Sequence, residues 1–351
     1  MTHSFTRPRC GKATGDAARE PVYDTAMRPF VILGFIVILV AAIWTGGWFY
    51  VANQVSGQLN SPLAFDGPDG DASLDCGSSS VAGFPFRFDV RCNDARLAYQ
   101  DYTVTTPQLS VTALVYRPNH FIGFAESPVR IADAFSGSET EMEFGNLEAS
   151  LRFEGFDFAD PRLERFSVVT DTLKLTNLLF GNEIFEARHG ELHLVKTVDE
   201  TDGLMAFVTA EGIESPEAGL AGGSVSVEAL LSQWDNRVAG WAEDQRLRAW
   251  QQAGGELAIE TLDFSAEGMS LDLTGTVALN ENGFAEVEAE AESLGLMDKL
   301  DLSMLGDFAP LIIGVPDENG IYRTPVTIRD GKLFAPYLPT PILALQTQPA
   351  F

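Results

Sequence analysis

Phe30–Tyr50 reads FVILGFIVILVAAIWTGGWFY, twenty-one residues without a charge. A water-soluble domain hides so long an apolar run only at its centre. As a helix the run spans roughly 32 Å, enough to cross a bilayer core of about 30 Å. It predicts a transmembrane helix over 29–51. A cleaved signal peptide is the rival reading, and the length of the run with no small-x-small site after it favours an uncleaved anchor.

The flanks orient this helix. Arg7, Arg9, Lys12, Arg19 and Arg28 stand against Asp16, Glu20 and Asp24, so residues 1–28 form a net basic leader. The whole chain carries −27, and the first basic residue after the run is Arg87. By the positive-inside rule the leader stays in the cytoplasm and the remainder is exported. Trp44, Trp48 and Tyr50 fall where amphipathic rings favour the outer interface.

The exported part is long enough for one large or two ordinary domains. Its acidity excludes a nucleic-acid partner and docking on anionic headgroups through a basic patch. It is no disordered acidic tail, because 45% of the chain is hydrophobic and 24 residues are Phe. Of three cysteines, Cys10 lies in the leader and is expected as a free thiol. Cys76 and Cys92 lie on the exported side, where disulfides persist. Each is eight residues from Phe84, so a hairpin turning at Gly83-Phe84-Pro85 sets them opposite, within disulfide reach. Such a bridge stabilises by about 3 kcal/mol; the alternative is two unpaired buried thiols.

The exported part is written in period two. Phe86, Phe88 and Val90 alternate with Arg87, Asp89 and Arg91, and Leu147, Ala149, Leu151 and Phe153 with Glu148, Ser150, Arg152 and Glu154. Met269, Leu271, Leu273 and Val277 share a parity; after Asn282-Gly283 come Ala285, Val287, Ala289 and Ala291 against four glutamates. That is an antiparallel hairpin with one dry and one wet face. Asp330-Gly331 marks another hairpin. From 228 to 254 the spacing turns helical, with Leu230, Leu231, Trp234, Val238, Trp241 and Trp250 ahead of Gly254-Gly255. A short helix is expected within Leu294–Leu305. The expected organisation is a leader (1–28), membrane helix (29–51), linker (52–71), β region (72–227), Trp-rich amphipathic helix (228–254) and second β region (255–351). The fold class is mainly β with a few helices: a curved antiparallel sheet, groove-like or sandwich, behind one transmembrane helix.

Signals for chemistry are weak. His189, Glu191 and His193 share one face of a strand, a spacing that can present metal ligands, without a third cluster to complete a site. Asp66, Asp69, Asp71 and Asp75 lack the Gly and closing Glu of a calcium loop and read as a turn-rich linker. No G-x-S-x-G, phosphate-cradling glycine loop or Cys-His pair occurs. No catalytic residue, metal or cofactor is expected.

GFPFRFDVRC (83–92), VTALVYRPNHFIGF (111–124), LRAWQQAGGELAIETLDF (247–264), LDLTGTVALNENG (271–283) and TPVTIRDGKLFAPYLPTP (324–341), in this order behind one anchor, resemble the bacterial envelope family called domain-of-unknown-function 2125. That family is similar to the AsmA-like group. The resemblance implies a groove-like sheet with an apolar inner face, tethered to the bacterial inner membrane and exposed to the periplasm, that handles lipid. No catalytic residues carry over. The residues fit: a Phe-rich dry face, with Phe86, Phe88, Val90, Leu271 and Leu273 as the expected lining, either lines a trough for acyl chains or packs as an ordinary core, and Trp234, Trp241 and Trp250 form a lid or a core-packing helix. Phospholipid is then the ligand. Two other readings stand beside it: a non-enzymatic scaffolding module that holds a protein partner at the membrane, and a metal-assisted enzyme using His189 and His193.

Overall fold

The computed structural model describes residues 27–65, 72–157, 159–197, 202–238, 245–296, 310, 313–335, 340–346 and 348–350. Helix α1 covers Met27–Leu59 and contains a stretch, Phe30–Leu59, long and apolar enough to cross a membrane. Most of its side chains are exposed, Phe30 at 74% and Ile43 at 66%, while Trp48 and Ala52 are buried. The helix runs eight residues past the expected end at Val51. Asn53, Gln54 and Ser56 lower its apolarity without breaking it, and it stops only ahead of Pro62, which has no N–H to continue a ladder.

Beyond α1 the chain folds into one 18-stranded sheet. Its strands are β1 (Leu63–Phe65), β2 (Ala72–Ala82), β3 (Arg87–Tyr99), β4 (Tyr102–Leu114), β5 (Arg117–Ala125), β6 (Val129–Asp133), β7 (Glu139–Glu143), β8 (Asn146–Phe153) and β9 (Leu163–Asn177). They continue as β10 (Asn182–Lys196), β11 (Gly203–Ser215), β12 (Leu220–Ser232), β13 (Glu256–Ala266), β14 (Met269–Leu279), β15 (Ala285–Leu294), β16 (Tyr322–Arg329), β17 (Lys332–Phe334) and β18 (Pro341–Ala344). Helix α2, Arg246–Gln252, lies between β12 and β13.

The ladders are antiparallel and join neighbours in a meander, with one variation. β4 pairs with β5 over one part of its length and with β6 over another, and β9 does the same with β8 and β7. β5 and β6 are thus one strand interrupted at Ser127–Pro128, where proline has no N–H to give the ladder. The meander puts the turns after β3, β6, β9, β11 and β13 at one end of the sheet and those after β2, β4, β8, β10, β12 and β14 at the other.

Turn chemistry follows the residues. In the β14–β15 turn Asn280 Oδ1 accepts the N–H groups of Asn282 and Phe284, and Gly283 takes φ +78°. Gly275 meets Ala289 across the same hairpin so closely that a Cβ would lie 2.5 Å from Glu288 O.

Three expectations need correction, and a fourth falls mostly outside the described residues. The linker over 52–71 holds the last turns of α1 and all of β1, with 66–71, and so Asp66, Asp69 and Asp71, outside the described residues; Asp75 is in β2. Of the helix over 228–254, α2 is what the described residues show. Glu228–Ser232 are the end of β12, Trp234 lies in the following loop, and Trp241 lies outside the described residues. The two β regions are one sheet: β12 pairs directly with β13, so the α2 segment is an insertion in a hairpin, not a divider. Most of Leu294–Leu305 lies outside the described residues, and Leu294 itself ends β15.

Candidate functional site

Residues paired across a ladder point to the same face, so register alone builds a surface. From Val81 the pairing passes to Val90, Val111, Gly123, Ala149 and Val168. It goes on to Leu192, Val208, Val227, Leu262, Leu273 and Ala291. Twelve strands thus contribute one apolar residue each to a single row. At about 4.8 Å per strand the row is about 50 Å long. A second row on the same face runs through Phe88, Ala113, Phe121, Leu151, Phe166, Leu194 and Ala206. One residue over, the row on the opposite face runs Arg91, Ser110, Phe124, Glu148, Val169, Glu191, Thr209, Ser226, Asp263, Asp272 and Glu292, polar except at Phe124 and Val169.

Burial shows what covers the dry face. All twelve residues of the first row are half-buried and none is buried. Among the described residues Leu163 has the only large side chain that is fully buried. Neighbouring strands shield each side chain laterally, and no second layer closes over it among the described residues.

The expected lining divides on this evidence. Val90 and Leu273 are members of the first row, and Phe88 and Leu271 lie on the same face two residues away. Phe86 does not: it sits in the β2–β3 turn, 62% exposed. The hairpin is symmetric about Pro85–Phe86, with Ala82 opposite Asp89, so the alternation stops one residue before β3 begins. The bridge Cys76–Cys92 forms with Cα atoms 5.2 Å apart. The two cysteines are not directly opposed, however. Cys76 faces Ala95 and Cys92 faces Ser79, while Gly77 and Asp94 (φ +50°) drop out of the ladder between them.

The tryptophans form a separate cluster beyond the end of β12. Trp250 Nε1 donates to Ser232 O at 2.7 Å, and its ring meets Trp234 edge-on at 6.4 Å. Arg246 covers the Trp234 ring at 5.0 Å and donates to Asp235 O. Gly255 is required here, since a Cβ would fall 2.0 Å from Trp250 Nε1.

His189 and His193 share Glu191, at 2.9 and 2.8 Å, and His189 also reaches Asp171 at 2.7 Å. The bond to Glu191, then that to Asp171, raises the His189 pKa above its ordinary value, and the histidines in turn lower that of Glu191. These are hydrogen-bonded partners on the wet face. Among the described residues no group of His, Cys, Asp and Glu is placed to hold a metal.

Sequence reasoning found the dry faces of β3, β8, β14 and β15 but missed β9, β10 and β11 in the middle of the surface. Val168, Leu192 and Val208 carry it there, and the signal, Phe166/Val168 and Leu192/Leu194, was present in the same alternation.

No curated protein and no solved structure matches this chain. A family model matches over residues 48–343, from the last turns of α1 to β18. The chain belongs to the family described as uncharacterized protein conserved in bacteria (DUF2125).

Proposed function

We propose that the chain is a non-enzymatic, membrane-anchored β protein of the bacterial periplasm whose dry face holds the acyl chains of phospholipid. The observation that carries this reading is the apolar row across twelve strands, half-exposed throughout. Contiguous apolar surface of this extent is unfavourable in water and marks a binding surface. One leaflet of a bilayer core is about 15 Å thick, so a row of about 50 Å has room for more than one acyl chain end to end. Ten methylenes at about 0.8 kcal/mol each contribute about 8 kcal/mol, the scale of micromolar binding before ordering costs are subtracted. The basic leader and the Cys76–Cys92 bridge support export to an oxidising compartment. Similarity to AsmA-like envelope proteins belongs with this reading.

The test uses the chain from Asn60 onward, which contains every ladder. Purified without detergent and weighed by native mass spectrometry, it carries phospholipid or takes up added phospholipid. Absence of both overturns the proposal, and recovery of one stoichiometric protein partner in place of lipid assigns the face to scaffolding.

A further inference from the structure

Two turns at one end of the sheet expose apolar side chains at their tips. Phe135, in the turn between β6 and β7, is 88% exposed; Leu179 and Phe180, between β9 and β10, are 62% and 77% exposed. The turns are neighbours: β7 pairs with both β6 and β9, and Leu178 N donates to Glu139 O at 2.8 Å.

In both turns most backbone N–H groups are already bonded within the protein. In the first, Ala134 N donates to Asp101 O and Gly137 N to Asp133 O, both at 2.8 Å. Phe135 N donates to Asp133 Oδ1 at 2.8 Å, and Ser138 N to Ser136 Oγ at 3.2 Å. In the second, Leu178 N is taken by Glu139 O and Gly181 N by Asn177 O. Leu179 N and Phe180 N share Asn177 Oδ1 at 2.9 and 3.2 Å.

A turn that stays in water has no need of this, since water satisfies its amides. A turn that enters a lipid phase does, because each unbonded peptide group there costs several kcal/mol. The side chains agree. They project from convex tips, which a fluid apolar medium covers without a matching pocket, and the chain holds a helix long and apolar enough to keep it at a bilayer. From this geometry we infer that the turns 134–138 and 178–181 dip into the surface of a lipid bilayer, with Phe135, Leu179 and Phe180 entering the acyl region. Asp133, directly behind Phe135, limits the depth to the headgroup boundary, about 5–10 Å for interfacial insertion. The inference concerns how the domain meets a membrane and does not depend on acyl chains binding the dry face.

The test uses the full chain with Cys10→Ser, reconstituted in vesicles of phosphatidylethanolamine and phosphatidylglycerol. A nitroxide is attached in turn at Phe135→Cys, Phe180→Cys and, at the opposite end of the sheet, Glu281→Cys. All three are exposed turn positions, so the label does not disturb packing. Oxygen, which partitions into lipid, collides with the label more often than a water-soluble nickel chelate at 135 and 180, and less often at 281. Collision dominated by the nickel chelate at both tips overturns the inference. So does exclusion of both probes from the tips, which assigns them to a protein contact.

Discussion

Leu192→Asp distinguishes an open apolar face from a covered core. Leu192 sits in the middle of the row, between Val168 and Val208, and is half-buried. Full burial of a leucine contributes about 1.5–3 kcal/mol, so half of that, about 1 kcal/mol, is lost on substitution. The lower strand preference of Asp adds up to about 1 kcal/mol. A carboxylate on an open face keeps its water, and the total stays near 2 kcal/mol. Under a covering layer the same group is buried without a partner, which costs several kcal/mol more and approaches a typical total stability of about 5–15 kcal/mol. Lipid responds in the other sense. A charge that displaces two or three methylenes from the face removes about 2 kcal/mol of binding, close to 30-fold in affinity. Urea unfolding of the chain from Asn60 onward, followed by circular dichroism, measures the first quantity, and titration with a fluorescent phospholipid measures the second. Expected is a folded variant, weakened by about 2 kcal/mol, with binding reduced about 30-fold. A variant that fails to fold refutes the open face; a folded variant with unchanged uptake refutes its role in lipid binding.

Replacing both bridged cysteines by serine removes a cross-link spanning a sequence separation of 16 and lowers stability by about 3 kcal/mol, read as a drop in urea midpoint; an unchanged midpoint contradicts it. His189 titrates above its ordinary value of about 6.5 because Glu191 and Asp171 favour the imidazolium. The stabilisation is therefore fully present below about pH 6.5 and is lost as pH rises through the raised folded value. Its ring resonances, followed by NMR, show this directly, and Asp171→Asn brings the midpoint down. In Gly255→Ala the added methyl displaces the Trp250 indole and breaks its bond to Ser232, at a cost of about 1–3 kcal/mol; tryptophan fluorescence then shifts to the red, and an unshifted spectrum shows that the loop has room to give.

Where one face of a strand meets water, the sequence announces the fold. β15 alternates alanine and valine with Glu286, Glu288, Glu290 and Glu292, and its pairing with β14 puts Val277 opposite Val287 as parity requires. Legibility fails where both faces are apolar. At the end of β12, Leu231 pairs with Leu204 and Leu257 while Leu230 pairs with Met205 and Ala258. Adjacent leucines erase the alternation, and Leu230 with Trp234 then imitates a helical repeat. Phe86 failed for another reason. Period two carries no stop signal, so nothing in the alternation says that a four-residue turn takes Phe86 out of the strand. The cysteine pair was legible from spacing, but its geometry was not, because a positive φ at Asp94 is not visible in the residue type.

The half-exposure of the dry face, on which the proposed binding rests, also changes what holds the sheet together. In a two-layer domain the strands are clamped by a common core. Here one leucine side chain is fully buried among the described residues, and each strand is held mainly by ladder bonds and lateral contacts with its two neighbours. Stability of that kind is close to a sum of nearest-neighbour terms, as in repeat proteins. It grows with ladder length, so the β3–β4 and β9–β10 junctions, with twelve residue pairs each, are the firmest. β17 and β18, joined over three pairs, form a weak margin. A sheet built in this way tolerates an uncovered apolar face, because no strand depends on that face being sealed. An acyl chain laid across the row would touch many strands at once and so add the long-range contacts that the meander lacks. Binding and stability are then linked: whatever apolar ligand occupies the row stabilises the sheet in proportion to the number of strands it spans.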